Sequence, residues 1–236
     1  MLDSALMAAR QMFTPEFRAV LIKSLGLTLL ALALGWIGLQ ALIDHLLTLE
    51  PGYLRSGAQV VAGLGLAFGL LFLITPVTAA VAGLFLDDVA AVVERTHYPQ
   101  DPPGVAPPAL RGALMSARFG ALVLAINVAM LPLLFFPGVN LVAWGLVNAY
   151  LLSREYFTLA ALRFRPEAEA AALRRRHRGR VFVAGLAAAA LAIVPFANLL
   201  TPLFATAFFV HLHKKIAALD ARRLGASAAP ERLGSS

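Results

Sequence analysis

The sequence predicts an all-α integral membrane protein, on three observations. First, 60% of its 236 residues are hydrophobic and 14% charged, where a soluble domain is roughly 45–50% apolar and about a quarter charged. Second, four long runs carry no charge at all. Third, the formal charge of +7 is unevenly placed along the chain, as membrane topology requires. The same composition excludes a disordered chain and a coiled coil, and the absence of Cys excludes a disulfide scaffold or a zinc ribbon.

The elements follow in order. Residues 1–10 place Leu2, Ala5, Leu6 and Ala9 at helical spacing, an interfacial helix that ends before Pro15. Residues 24–43 form the first uncharged run, preceded by Arg18 and Lys23 and closed by Asp44. A helix crosses the hydrocarbon with about 20 residues, so residues 24–47 are expected to span once. The run starts too late and is too long for a signal peptide. Residues 56–86, thirty-one without a charge, form the second span. Residues 87–97 carry Val89, Val92 and Val93 on one face and prolong that helix. Residues 98–108 hold five prolines and form a loop.

Runs three and four, residues 119–153 and 181–210, are each broken near the centre by one pattern. It reads Pro137-Gly138-Val139-Asn140-Leu141 in the first and Pro195-Phe196-Ala197-Asn198-Leu199 in the second, offset by 58 residues. Proline removes a backbone donor and asparagine accepts turn geometry. Charge decides between one kinked crossing and a hairpin. Residues 154–180 hold eight arginines against Glu155, Glu167 and Glu169, and single crossings would place that stretch outside the cell, against the positive-inside rule. If both runs fold back, residues 44–55 alone are external, and 19 basic against 11 acidic residues lie on the cytoplasmic face. The legs are short: residues 181–194, 198–210 and 141–153 each reach about 20 Å. The expectation is two long transmembrane helices plus two re-entrant, hemi-penetrating hairpins at 119–153 and 181–210, with both termini cytoplasmic. Residues 1–216 form a single membrane domain, and the small, polar, Arg-dotted residues 217–236 form a flexible cytoplasmic tail.

The order of parts resembles a known family. Pro15-x-x-Arg18 opens the first helix, Thr75-Pro76-Val77 sits late in the second, and the Pro137-Gly138 tip is followed by Tyr156. A Val194-Pro195-x-x-Asn198-Leu199 tip is followed by Pro202. Over roughly residues 5–215 the chain resembles the CysZ sulfate permease family and the wider etoposide-induced-protein superfamily. That resemblance implies a bacterial inner-membrane protein, a homo-oligomer, and sulfate uptake that feeds cysteine biosynthesis. It also implies an anion site at the start of the first long helix. Its matching positions are Pro15, Glu16, Phe17 and Arg18, with Glu16 where the family has glycine and Ala19 where a second arginine often stands.

The candidate anion-binding residues are therefore Phe17, Arg18 and Lys23, although Arg18 and Lys23 also suit ordinary positive-inside anchoring. Pro137, Gly138, Asn140, Pro195 and Asn198 are the candidate pore or hairpin-tip residues. An asparagine at that depth either hydrogen-bonds the turn or faces a permeating ion. Arg154 and Glu155 read as a local ion pair. Gly65-x-x-x-Gly69 permits close helix approach, within the protomer or between protomers. His211 and His213, two apart, fall on different helix faces, and no metal site is expected. Asp87-Asp88 lacks the repeated spacing of a prenyl transferase, and no phosphate loop or catalytic triad order is present. The chain is thus read as no enzyme, without catalytic residues or cofactors. The cluster 174–180 lacks interleaved aromatics, so anionic lipid rather than nucleic acid is its expected partner. The leading function is a permease for a small oxyanion, sulfate first. A non-transporting scaffold or envelope factor of the same superfamily is the other reading, and Glu16 is the residue that favours it.

Overall fold

The computed structural model describes residues 2–46, 85–194 and 197–233, with Gly63 and Gly65 as single positions. Most of the second expected span, the Gly65–Gly69 spacing and Pro195 lie outside the described residues. Every regular element among the described residues is helical. The chain divides into two compact units, residues 15–86 and residues 1–14 with 87–236.

The smaller unit contributes α2 (Pro15–Leu46). Proline is favoured at this first helical position, where its missing N–H would have no intrahelical acceptor. The stretch Pro15–Ala41 is long and apolar enough to cross a membrane. Its Ser24 and Thr28 hydroxyls donate back to the Leu21 and Ser24 carbonyls at 3.1 and 2.8 Å, which satisfies them without water.

The larger unit is built around α8 (Thr201–Leu233), whose residues from Leu203 to His213 are all buried. A helix apolar on every side belongs in an interior. Packed on α8 are α1 (Leu2–Gln11), α5 (Pro137–Leu162) and α7 (Arg178–Ile193), and α5 and α7 form the most extensive helix pair of the unit. Their seam is made of small residues. Gly185 of α7 lies so close that a side chain there would strike the Ala149 carbonyl oxygen and come within 2.6 Å of the Ser153 Cβ. Ala184, Ala188 and Ala160 are buried nearby in the sequence pattern of small residues that lets membrane helices approach.

α1 buries Ser4, Ala8 and Gln11 and leaves Leu2 and Leu6 exposed. Its small, polar face thus enters the protein, and the leucine face expected at a membrane interface stays free for it. α3 (Leu86–His97) buries Val89, Val92 and Val93, the face read from the sequence. Residues 98–108 form a loop, and α6 (Glu167–Arg176) follows a turn after α5.

Both broken runs are broken where the sequence breaks them. α4 (Ala109–Met130) passes into a 3-10 turn, Leu131–Phe135, before Pro137 opens α5. α7 stops at Ile193, and a 3-10 turn, Ala197–Leu200, leads into α8. Lengths differ from the expectation in one leg: Leu110–Phe135 is by itself long and apolar enough to cross a membrane, with its apolar side chains outward. At the other end, α8 continues through residues 217–233, where composition suggests a flexible tail. Ala and Arg are strong helix formers, and they extend a helix already nucleated by its buried half.

Candidate functional site

The first turn of α2 exposes Pro15, Glu16 and Arg18 and buries Phe17, which is 1% exposed. Of the expected anion ligands, the Phe17 side chain is thus packed inward, leaving its backbone N–H among the free donors of the helix start. Arg18 and Lys23 are both exposed. Five residues apart, they lie about 140° apart around the helix axis and do not converge on one point. Among the described residues no ion pair joins Glu16 to Arg18, so the carboxylate leaves the arginine unblocked.

The two tips share one backbone feature. Asn140 N–H donates to the Phe136 carbonyl at 2.8 Å, and Asn198 N–H donates to the Val194 carbonyl at 3.0 Å. Each asparagine is half-buried and closes the first turn after the break with its backbone. Neither side chain hydrogen-bonds within the described residues, and α5 has no side-chain cap. Asparagine capping of the turn by its side chain is therefore replaced by main-chain closure. Gly138 and Pro137 are exposed at the start of α5. The surroundings differ: Phe135 and Phe136 stand exposed at the first break, whereas Thr201 beside the second is buried with its hydroxyl unpartnered.

The densest polar chemistry of the larger unit is a cap that sequence reading passes over. Arg163, at the end of α5, is buried and donates from Nε to Glu94 Oε1 at 2.7 Å and from Nη1 to Asp87 at 2.5 Å. Glu94, also buried, accepts the Gly104 N–H at 2.9 Å, and the Arg163 carbonyl accepts Val105 N–H at 2.8 Å. Burial pulls the guanidinium down, but the hydrogen bond and charge of Glu94, with Asp87, more than offset it and hold Arg163 above its ordinary value. Two carboxylates already balance this arginine, so the cap is a strut and has no charge left for an anion.

Next to it, His211 Nδ1 and the Tyr98 hydroxyl lie 2.9 Å apart, and His97 meets the His211 ring edge-on. His213 stacks on Phe164, and Lys214 Nζ lies over the Phe164 ring, 4.0 Å from its centroid. Burial, aided by His97, pushes His211 down to about 4, and burial, aided by Arg165 and Lys214, pushes His213 down to about 3. Both are neutral at pH 7. Among the described residues no cluster of three or more ligating side chains could hold a metal. Lys214 and Lys215 pair with Asp101 and Asp3 at 2.9 and 3.1 Å. The expected Arg154–Glu155 pair is not formed among the described residues.

The described residues thus form helices, two of them long and apolar enough to cross a membrane, with helix breaks at matching places in two uncharged runs. Residues 4–202 match the family described as sulfate transporter CysZ/etoposide-induced protein 2.4, and the chain belongs to that family. The family carries an anion as its substrate class. No individual curated protein matches the chain.

Proposed function

We propose that the chain is an inner-membrane permease for a small oxyanion, sulfate first, that supplies cysteine biosynthesis. Family membership over residues 4–202 carries this reading. In it, both termini and residues 154–180 are cytoplasmic, the paired breaks form re-entrant tips, and a homo-oligomer surrounds the path. The two breaks support it physically. Broken helices at corresponding places are the membrane solution for bringing polar backbone to a permeating ion, and among the described residues the Asn140 and Asn198 side chains have no hydrogen-bond partner that would keep them from lining such a path. Arg18 and the open N–H groups of the α2 start are the proposed donors at its mouth.

Radiolabelled sulfate flux into liposomes holding the purified protein tests it. Uptake above that of empty liposomes is expected, with competition by unlabelled sulfate and at least a several-fold loss per folded molecule in Asn198→Leu and in Arg18→Ala. No uptake by the folded parent withdraws the permease in favour of the scaffold reading that Glu16 favours.

A further inference from the structure

The described Asn, Gln, Ser and Thr side chains of the charge-free runs are covered by protein, with two exceptions. Ser24, Thr28, Ser153, Thr201 and Thr206 are buried, and Asn140, Asn148 and Asn198 are half-buried. Gln40 is exposed, but it stands four residues from Asp44, where its run ends. Asn127 is exposed well inside its run, nine residues beyond Arg118. That is about 14 Å along α4, close to the middle of a hydrocarbon core about 30 Å thick.

Asn127 Nδ2 donates to the Val123 carbonyl at 2.8 Å, and its Oδ1 and second N–H have no partner among the described residues. Hydrocarbon offers neither donor nor acceptor, so an amide at this depth needs protein to complete it. No described side chain of α4 is buried, although Leu110–Phe135 is long and apolar enough to cross a membrane. The face that carries Asn127 is also open. Gly120 lies seven residues before it and Gly112 fifteen, all three within about 80° around the helix axis. A Cβ at either glycine would meet nothing within 4 Å, so nothing in this protomer keeps them small, unlike Gly185 against Ala149. Small residues beside a polar one are what lets two membrane helices meet and hydrogen-bond.

We propose that this face of α4 is the contact with a second copy of the chain. An amide is self-complementary: the Oδ1 of each Asn127 accepts the free N–H of the other, and one two-fold contact completes both. Lipid tails cannot do this. The inference rests on the homo-oligomer of the proposed function and names its interface, and it uses neither the start of α2 nor the broken tips.

The chain has no cysteine, so disulfide crosslinking of the full-length protein in native membranes tests the contact. Single cysteines replace Val123, on the Asn127 face between the amide and Gly120, and Ala125, on the opposite face. With copper phenanthroline, Val123→Cys is expected to form covalent dimers at least several-fold faster than Ala125→Cys. Asn127→Leu should slow that crosslinking and weaken self-association in detergent about tenfold, the worth of two interhelical amide hydrogen bonds. Gly120→Leu should do the same while the protomer keeps its fold, since the space around that glycine is open. Should Val123→Cys fail to fold, light scattering of the parent against Asn127→Leu decides, and equal dissociation of the two overturns the contact. Equal crosslinking at both positions, or crosslinking unchanged by Asn127→Leu, overturns it as well. Oligomers that persist without a Val123 crosslink overturn this interface alone, whereas a monomeric parent overturns the homo-oligomer with it. Sulfate flux into liposomes made from the same preparations reports separately on the permease.

Discussion

Arg163 and Arg174 lie on adjacent elements and are treated in opposite ways. Arg163 closes the end of α5 between two carboxylates and a backbone carbonyl, with almost none of its side chain exposed. Arg174, eleven residues on, pairs with no carboxylate among the described residues and stays half-exposed. The difference separates a charge that holds the fold from a charge left to the solvent. A buried guanidinium without a partner is unaffordable, so the strut had to be neutralised. A half-exposed guanidinium is tolerable without one, because water screens its charge. Removing charge should therefore have unequal effects at the two places, and that is how the comparison can be broken.

The largest effect is expected at Glu94. Glu94→Gln keeps the shape of the side chain and strands Arg163 with the exposed Asp87 alone, and loss of one partner of a buried pair costs about 3–5 kcal/mol. The Tm in detergent should fall steeply, while Arg174→Gln leaves it level. Replacing Arg163 and Glu94 together by Met should recover most of the loss, because no buried charge is then left unpaired. Equal Tm values for Glu94→Gln and the parent would reduce the cap to ornament.

A smaller effect is expected at Gly104. A Cβ there would lie 2.9 Å from the Arg163 Cβ and 2.9 Å from Glu94 Oε1, so the loop must withdraw or the ion pair must open. Gly104→Ala should cost about 1–3 kcal/mol, the usual price of overpacking. Faster hydrogen exchange at the Gly104 and Val105 amides, which bond Glu94 and the Arg163 carbonyl, should accompany the lower Tm. Unchanged exchange with a lower Tm would place the strain elsewhere.

What could be read in advance follows the range of each interaction. The uncharged runs and the Pro137 and Asn198 breaks are local, set by residues within one turn of each other, and the helices stop and restart there. The buried face of α3 was legible from Val89, Val92 and Val93 for the same reason. The Arg163–Glu94 pair was not, since its partners stand 69 residues apart and each counts in the sequence as one more topology charge. Gly104 within the proline-rich loop was the one local hint, a residue without a side chain where something must come close. The inward face of α1 was likewise hidden. Periodicity marks Leu2 and Leu6 as the apolar side, and whether that side meets protein or lipid depends on α8, far away in the chain. That the Phe17 side chain packs inward was not legible, because a family motif fixes positions and says nothing about which way a side chain packs.

Buried histidines are the third way this unit handles a basic group, by keeping it neutral, and they give the smallest expected effect. His211 and His213 are each 1% exposed, with folded pKa values pushed down to about 4 and about 3. The unfolded chain titrates near 6.5 and so takes up protons first as pH falls, and stability must drop from there towards the folded values. Between pH 7 and pH 6 the folded groups stay neutral in either case, so the change depends on the unfolded value alone. It amounts to about 0.7 kcal/mol for each histidine. His213→Phe puts another ring between Phe157 and Phe164, which already flank it, and should shrink the loss over that interval by about the same 0.7 kcal/mol. Denaturation of parent and variant at the two pH values measures it. A loss identical in both would mean that His213 titrates in the fold as it does in the unfolded chain, its burial offset by nothing more than local solvation.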